Sequence, residues 1–296
     1  MSRKLQYVFT DVFAESKYAG NPLATFLDGS GLSGKEMQQI TREINFSETT
    51  FILPDQGKDG AFRVRIFTPG GEVDFAGHPT LGTAWVIRNR LIRKPSEKIV
   101  LDLNVGRVPV TWGDADDVNS MLFMRQIEPS FGEQVDAEIL ADVLRLPPGS
   151  LDLEWPVQAV STGLAHLIVP VKDLKALKKA SIQPGLYWAL VDKHEAKSIL
   201  VFCPEGYESS QAVSVRVFGD YYGVPEDPAT GSGNGCLAAY LAKHRYFGKP
   251  EIDILAGQGY EMGRPSTLAL KSSEREGRIQ VQVGGRVVPV AEGWWE

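Results

Sequence analysis

Four side chains in this sequence are of types that move protons or hold anions, and each stands in a context that singles it out: Glu48, His78, Asp227 and Ser232. Glu48 lies between Ser47 and Thr49, with Phe46, Phe51 and Ile52 close by. A carboxylate held among apolar groups has a raised pKa and can pass a proton near neutral pH. The spacing leaves a second placement open, the solvent face of an edge strand, where Glu48 would have no chemistry. His78 sits between Gly77 and Pro79, placed to share a proton or donate a hydrogen bond to a reacting centre, or simply to cap a helix. Asp227 precedes Pro228; it can accept from a substrate hydroxyl or amine, orient His78, or only start a turn. Ser232 is either an anion contact or a plain N-cap.

The elements that must position these residues repeat one design. In residues 226–235 small and hydroxyl residues with three glycines lead into the apolar run that starts at Cys236. In residues 75–82 the pair Gly77-His78 stands where Gly231-Ser232 stands, ahead of a second apolar run. A loop this small lets backbone N–H groups approach a ligand closely. The helix that follows aims its unpaired N–H groups and the positive end of its dipole at whatever sits there. Both helices are apolar on nearly all sides, which predicts burial. Two helix N-termini facing one site would hold a substrate carboxylate and stabilise an enolate-like anion.

The rest of the chain reads as strands with a few helices. Strands are expected at 7–13, 45–53 and 61–67, residues 18–27 read as a turn feeding a returning strand, and a capping box at Ser33 and Glu36 predicts a helix over 33–44. Residues 98–110 read as a hairpin around Gly106, and the acidic run 113–117 as a linker. A second cycle follows, with a strand at 121–124, a helix over 137–146 and strands at 156–160, 166–171, 197–202 and 212–218. Residues 278–290 alternate around Gly284-Gly285 and echo the 101–110 hairpin. This suggests an internal duplication with an insertion around 251–276. The halves are expected to be 1–117 with 279–296, carrying Glu48 and His78, and 118–278, carrying Asp227 and Ser232. Each should wrap one apolar helix, and the halves should meet at a cleft. His166, His194 and His244 carry no expected role, and Trp294-Trp295 should cover apolar surface.

Bulk properties narrow the function. The 296 residues carry a net charge of -6, which argues against attraction to nucleic acid or an anionic membrane. Two cysteines without metal-ligand spacing, Cys203 and Cys236, fit a reduced, cytoplasmic chain with no metal site. The N-terminal stretch has no apolar signal region, and no run reaches transmembrane length. No P-loop, dinucleotide fingerprint, G-x-S-x-G elbow or H-E-x-x-H motif occurs. What remains is unaided proton transfer.

At Gly20-Asn21-Pro22-Leu23-Ala24, at residues 45–51, at residues 75–82 and at Glu226-Asp227-Pro228-Ala229-Thr230-Gly231-Ser232 the sequence resembles the PhzF family of phenazine biosynthesis. The matching pieces keep the family's order over nearly the whole chain. The resemblance implies an α+β, diaminopimelate-epimerase-like fold: two similar domains, each a curved, mostly antiparallel sheet around a central helix, with the active site between them. It also implies a cofactor-free isomerase, usually a homodimer, acting on a small carboxylate-bearing molecule. In the phenazine enzyme a Glu moves a proton within a dihydro-hydroxyanthranilate to give a ketone. Carried over, that Glu is Glu48, with His78 and Asp227 as further catalytic residues and Ser47, Gly77, Gly231 and Ser232 as substrate-binding ones. Related racemases use two cysteines at the two helix starts; here those positions are His78 and Ser232, so two-thiol chemistry is not expected. A one-base epimerase and a non-catalytic metabolite-binding protein are the rival readings.

Overall fold

Alternating β-branched and aromatic residues make strands the commonest regular element of the chain. A computed structural model, which describes residues 4–56 and 60–296, divides the chain into two compact units, Met1–Arg125 with Gly284–Glu296 and Gln126–Val283. The first three residues of the N-terminal stretch read above lie outside the described residues.

The first unit contains β1 (Leu5–Val12), β2 (Asn21–Phe26), α1 (Gly34–Ile44), β3 (Glu48–Gln56), β4 (Phe62–Phe67), β5 (Glu72–Val73), α2 (Gly77–Val86), β6 (Lys98–Leu103), β7 (Gly106–Trp112) and β8 (Leu122–Arg125). β2 runs parallel to β3, and β4 parallel to β6. Parallel neighbours need a crossover, and α1 and α2 supply the two crossovers. The pairs β1–β2, β3–β4, β6–β7 and β7–β8 are antiparallel, and the C-terminal strand Val287–Trp295 pairs antiparallel with β1.

The expected helix at 33–44 is present, closed at its start by the Ser33–Glu36 capping box and stopped by Asn45 in the left-handed region at φ 57°. α2 is buried from His78 to Val86, as its all-round apolar sequence requires. Gly82 permits that burial: a Cβ there would lie 2.5 Å from Leu23 Cδ2 and 2.9 Å from Val12 Cγ2. Hydroxyl groups fix the helix on the sheet, with Thr83 Oγ1 donating to Thr50 Oγ1 at 2.8 Å and Thr50 Oγ1 to Thr25 Oγ1 at 2.9 Å. Trp295 packs edge-on against Phe26 and covers apolar surface as expected, while Trp294, on the other face of the strand, is exposed.

Two expectations need correction here. The acidic run 113–117 is not a linker: the Asp114 N–H donates to Ser120 Oγ and Arg88 donates to the Ala115 carbonyl, so the run is a tethered turn. The strand after it, β8, pairs with β7 and belongs to the first unit. Acidic composition signalled exposure, which turns and linkers share.

The second unit contains β9 (Ser130–Val135), α3 (Ala137–Val143), β10 (Val157–Ser161), β11 (Ala165–Pro170), α4 (Leu174–Lys179), α5 (Pro184–Val191), β12 (Ser198–Cys203), β13 (Val213–Gly219), β14 (Val224–Asp227), α6 (Gly231–Lys243), β15 (Ile252–Gln258), β16 (Ser266–Arg275) and β17 (Arg278–Gly285). Its pairing scheme is that of the first unit. β11 runs parallel to β12 and β13 parallel to β15, while β10–β11, β12–β13, β13–β14 and β15–β16 are antiparallel. β12 therefore corresponds to β3, and α6 to α2. The hairpin β15–β16 is the counterpart of β6–β7, so residues 251–276 are not an insertion, and the counterpart of the 98–110 hairpin is not 278–290. α4 and α5 went unanticipated; their apolar residues Leu177, Tyr187 and Leu190 are buried in the second unit's core.

Each unit is thus a curved, mostly antiparallel sheet around one buried central helix, an α+β fold. Among the described residues no helix is long and apolar enough to cross a membrane.

Candidate functional site

In the first unit the end of α1 returns the chain to the sheet, and β3 begins at Glu48, in register with Leu23 of β2. The Glu48 side chain is only 17% exposed, which removes the solvent-face placement left open above. Its Oε2 lies 3.2 Å from Nε2 of His78, the second residue of α2. Ser47 Oγ donates to Oδ1 of the buried Asn21 at 3.2 Å, which ties the start of β3 to β2.

His78 is fully buried, and loss of water around the ring pushes its pKa down from 6.5 to about 3. A hydrogen bond to the Pro22 backbone opposes that shift and is outweighed by it. Proline has no N–H, so the ring is the donor and the Pro22 carbonyl accepts. Nε2 has no hydrogen-bond partner among the described residues, which leaves Nδ1 as the donor. The neutral ring therefore carries its lone pair on Nε2, the atom that faces Glu48. A proton on Glu48 Oε2 thus faces a hydrogen-bond acceptor, the lone pair of His78 Nε2.

Gly77 is the first residue of α2, and the N-cap Ala76 has no side chain able to cap it. The first-turn N–H groups are accordingly not met by a capping side chain.

In the second unit Asp227 ends β14 and is half-buried. Its Oδ2 accepts from Thr230 Oγ1 at 2.6 Å, and its backbone carbonyl accepts from Gln258 Nε2 at 2.8 Å. Gln258 is fully buried and also accepts from Asn234 Nδ2 at 2.8 Å, linking the loop to α6. The neighbouring Glu226 is held by both Nε and Nη2 of Arg216, each at 2.8 Å. Arg216 Nη1 in turn donates to the Ala180 carbonyl at 2.5 Å. The loop's carboxylates are therefore fixed from both sides.

Gly231 opens α6 and Ser232 is its second residue. The N-cap is Thr230, whose hydroxyl is turned to Asp227 and gives the helix no side-chain cap. The plain N-cap reading of Ser232 is thereby corrected. Ser232 Oγ instead meets His166 Nε2 at 3.1 Å, and His166 Nδ1 meets Ser198 Oγ at 2.5 Å. The sequence around His166 assigns it no role. It lies on β11, while its partners are 32 and 66 residues further along the chain, so no local spacing reveals the contact. The parallel β11–β12 pairing brings His166 and Ser198 into register.

Cys236 is fully buried, and its thiol is pushed up to about 11 by that burial, which leaves it protonated. Cys203 is likewise raised to about 11. Neither thiol has the character of a proton-transferring group near neutral pH. Among the described residues no cluster of three or more His, Cys, Asp or Glu side chains is arranged to hold a metal ion.

The sequence model of phenazine biosynthesis-like proteins matches residues 10–293. The trans-2,3-dihydro-3-hydroxyanthranilate isomerase of Pseudomonas aeruginosa is 36% identical over 292 residues, 97% of this chain and 98% of the relative. A PhzF-family phenazine biosynthesis protein of Bacillus anthracis superposes with a TM-score of 0.91 at 28% identity, covering 100% of both chains. A probable proline racemase of Agrobacterium radiobacter shares the fold alone: TM-score 0.63 at 12% identity, over 99% of this chain and 93% of that one.

Proposed function

Since the chain belongs to the phenazine biosynthesis-like (PhzF) family and is an isomerase, we propose that it moves one proton within a small carboxylate-bearing metabolite, with Glu48 as general acid and base. The observation that carries this reading is the pairing of Glu48 Oε2 with the neutral, buried His78 Nε2 at 3.2 Å. Glu48 takes a proton from a C–H bond activated by the substrate's own unsaturation. The electron pair shifts along the conjugated system, and Glu48, after its proton has exchanged with solvent, returns one proton to a different carbon. Atoms and charge balance within the substrate, so no redox or group-carrying cofactor is required.

In this reading the neutral His78 Nε2 accepts a hydrogen bond from Glu48 once Glu48 has taken the proton, and holds that proton in place until it is returned. Asp227, held in place by Thr230 and Gln258, is assigned to polarising the substrate. Ser47, Gly77, Gly231 and Ser232 are assigned to binding it. The uncapped first turns of α2 and α6 support anion contacts there. The same reading takes the protein to be a cytoplasmic homodimer, and sedimentation equilibrium checks the oligomeric part.

The named activity of the Pseudomonas aeruginosa relative supplies the first substrate to try. Purified protein is incubated with trans-2,3-dihydro-3-hydroxyanthranilate and the products are followed by NMR. Isomerisation, or exchange of a single carbon-bound hydrogen, supports the proposal. Binding of this and related cyclic carboxylates with neither result contradicts it and favours a non-catalytic binding protein.

A further inference from the structure

Ser232, His166 and Ser198 form a hydrogen-bonded chain inside the second unit that the proposed proton transfer does not use. Ser198 is 2% exposed and His166 1%, whereas Ser232 is half-buried. The chain thus has a closed end and an end open toward solvent or a ligand.

The closed end decides the direction of every bond in it. The Ser198 hydroxyl must donate its hydrogen, because a buried donor left unpaired is strongly disfavoured. Among the described residues His166 Nδ1, at 2.5 Å, is the one acceptor in its reach. Nδ1 therefore carries the ring's lone pair. Burial pushes His166 down to about 4, so near neutral pH the ring has one proton, and that proton is on Nε2. Nε2–H donates to Ser232 Oγ at 3.1 Å. The Ser232 hydrogen is then not needed by the ring and remains available on the open side. In the opposite tautomer Nε2 would consume that hydrogen, and Ser232 could only accept.

We propose that Ser198 and His166 are positioning residues that lock Ser232 as a hydrogen-bond donor, matched to a carboxylate or enolate oxygen of the ligand. The register of the two units places this device. Glu48 opens β3 opposite Leu23, and Ser198 opens β12 opposite His166. Gly77-His78 opens α2, and Gly231-Ser232 opens α6. Where the first unit sets a carboxylate against an imidazole, the second sets two hydroxyls with an imidazole between them. Gly233 gives the ring its room: a Cβ there would lie 3.3 Å from His166 Cε1 and 3.1 Å from Leu200 Cδ1.

The proposal rests on the assignment of Ser232 to substrate binding, and the test separates the two. The protein labelled with 15N-histidine is studied by long-range 1H–15N NMR, with the His166 signals identified by their loss in His166→Gln. Affinity for anthranilate, a ring carboxylate chosen as a non-isomerising probe, is measured by calorimetry for wild type, Ser232→Ala, Ser198→Ala and Ser198→Thr. The expected result is the Nε2–H tautomer in the wild type and a mixture of tautomers in Ser198→Ala. Ser198→Ala and Ser232→Ala should each weaken anthranilate by about 3- to 10-fold, with Ser198→Thr restoring it. The Nδ1–H tautomer in the unsubstituted protein overturns the proposal without need of any variant. So does wild-type affinity in Ser198→Ala when Ser232→Ala is weakened. If Ser232→Ala binds normally while the Nε2–H tautomer is present, Ser232 is not a ligand contact, and both the assignment and the proposal fall.

Discussion

Glu48 and Ser198 hold the same register position, each the first residue of a strand that runs parallel to the one before it. One position carries a carboxylate that meets an imidazole directly, and the other a hydroxyl that meets one through a 2.5 Å contact. The side chain proposed to move the proton thus belongs to one unit, and the hydroxyl–imidazole chain to the other.

Position, and not only charge, should matter at Glu48. Glu48→Asp keeps the carboxylate but withdraws it by one methylene from His78 Nε2. A misplacement of about 1 Å is enough to cost on the order of 10²-fold in rate. Turnover in Glu48→Asp should fall by about 10- to 100-fold with KM nearly unchanged, as read by steady-state kinetics on the substrate identified. Wild-type turnover would mean that the Glu48–His78 distance has no part in the reaction.

Acid should destabilise the fold over a window set by its buried rings. His78 is lowered from 6.5 to about 3 and His166 from 6.5 to about 4, both by burial. Between pH 6.5 and about 4 the unfolded chain binds two protons that the folded chain refuses. Stability therefore falls as pH drops, by up to about 1.4 kcal/mol per pH unit for each ring. Below about 4 the folded His166 protonates as well, and only His78 continues to contribute. Above pH 6.5 the rings are neutral in both states and contribute no slope. Urea denaturation between pH 7.5 and 4.5 measures this, and His78→Asn should lose one proton's share of the slope. An identical slope in His78→Asn contradicts the buried, neutral ring.

The loop that carries Asp227 should be sensitive at a glycine far away in sequence. Gly259 has φ 79°, and a Cβ there would lie 2.4 Å from the Arg264 carbonyl oxygen and 2.5 Å from that of Pro228. Gly263 has φ 68°, with nothing within 4 Å of an added Cβ. Gly263→Ala should cost only the left-handed conformation, about 1–2 kcal/mol. Gly259→Ala adds a clash with two backbone oxygens and should cost about 3 kcal/mol or more while displacing Pro228. Equal losses in the two variants, measured by urea denaturation, would contradict the packing described.

Gln258 ties the same loop to α6. Gln258→Leu leaves the Asp227 carbonyl and Asn234 Nδ2 without their Gln258 partner inside the protein. The expected loss is about 2–3 kcal/mol of stability, together with weaker proton transfer because Asp227 is no longer held. A stable Gln258→Leu protein with full activity would show that the network does not position the loop.

Much of this was legible in the chain. The Ser33 capping box, the two Gly-polar helix starts and the all-apolar helices behind them are local patterns, and each appears in the fold where its residues predict it. What escaped was non-local. Residues 251–276 resemble the first unit's hairpin in pairing but not in sequence, so the repeat was matched to the wrong segment. His166 looks like an ordinary strand residue until the parallel register of β11 and β12 sets it beside Ser198. The run 113–117 shows the reverse problem, since acidic residues mark exposure but do not distinguish a turn from a linker. The surroundings of Glu48 narrowed its placement without deciding it; the decision needed the tertiary approach of α2, which Gly82 permits.

The most direct test of Glu48 as the proton carrier follows deuterium from D2O into trans-2,3-dihydro-3-hydroxyanthranilate, or its isomerised product, with wild type and Glu48→Gln compared by mass spectrometry. Glu48→Gln preserves the size of the side chain and removes its ability to exchange a proton. The expected result is incorporation of one deuterium by the wild type and a rate about 10²–10⁴-fold lower in the variant. Incorporation at the same rate by both proteins would contradict the assignment.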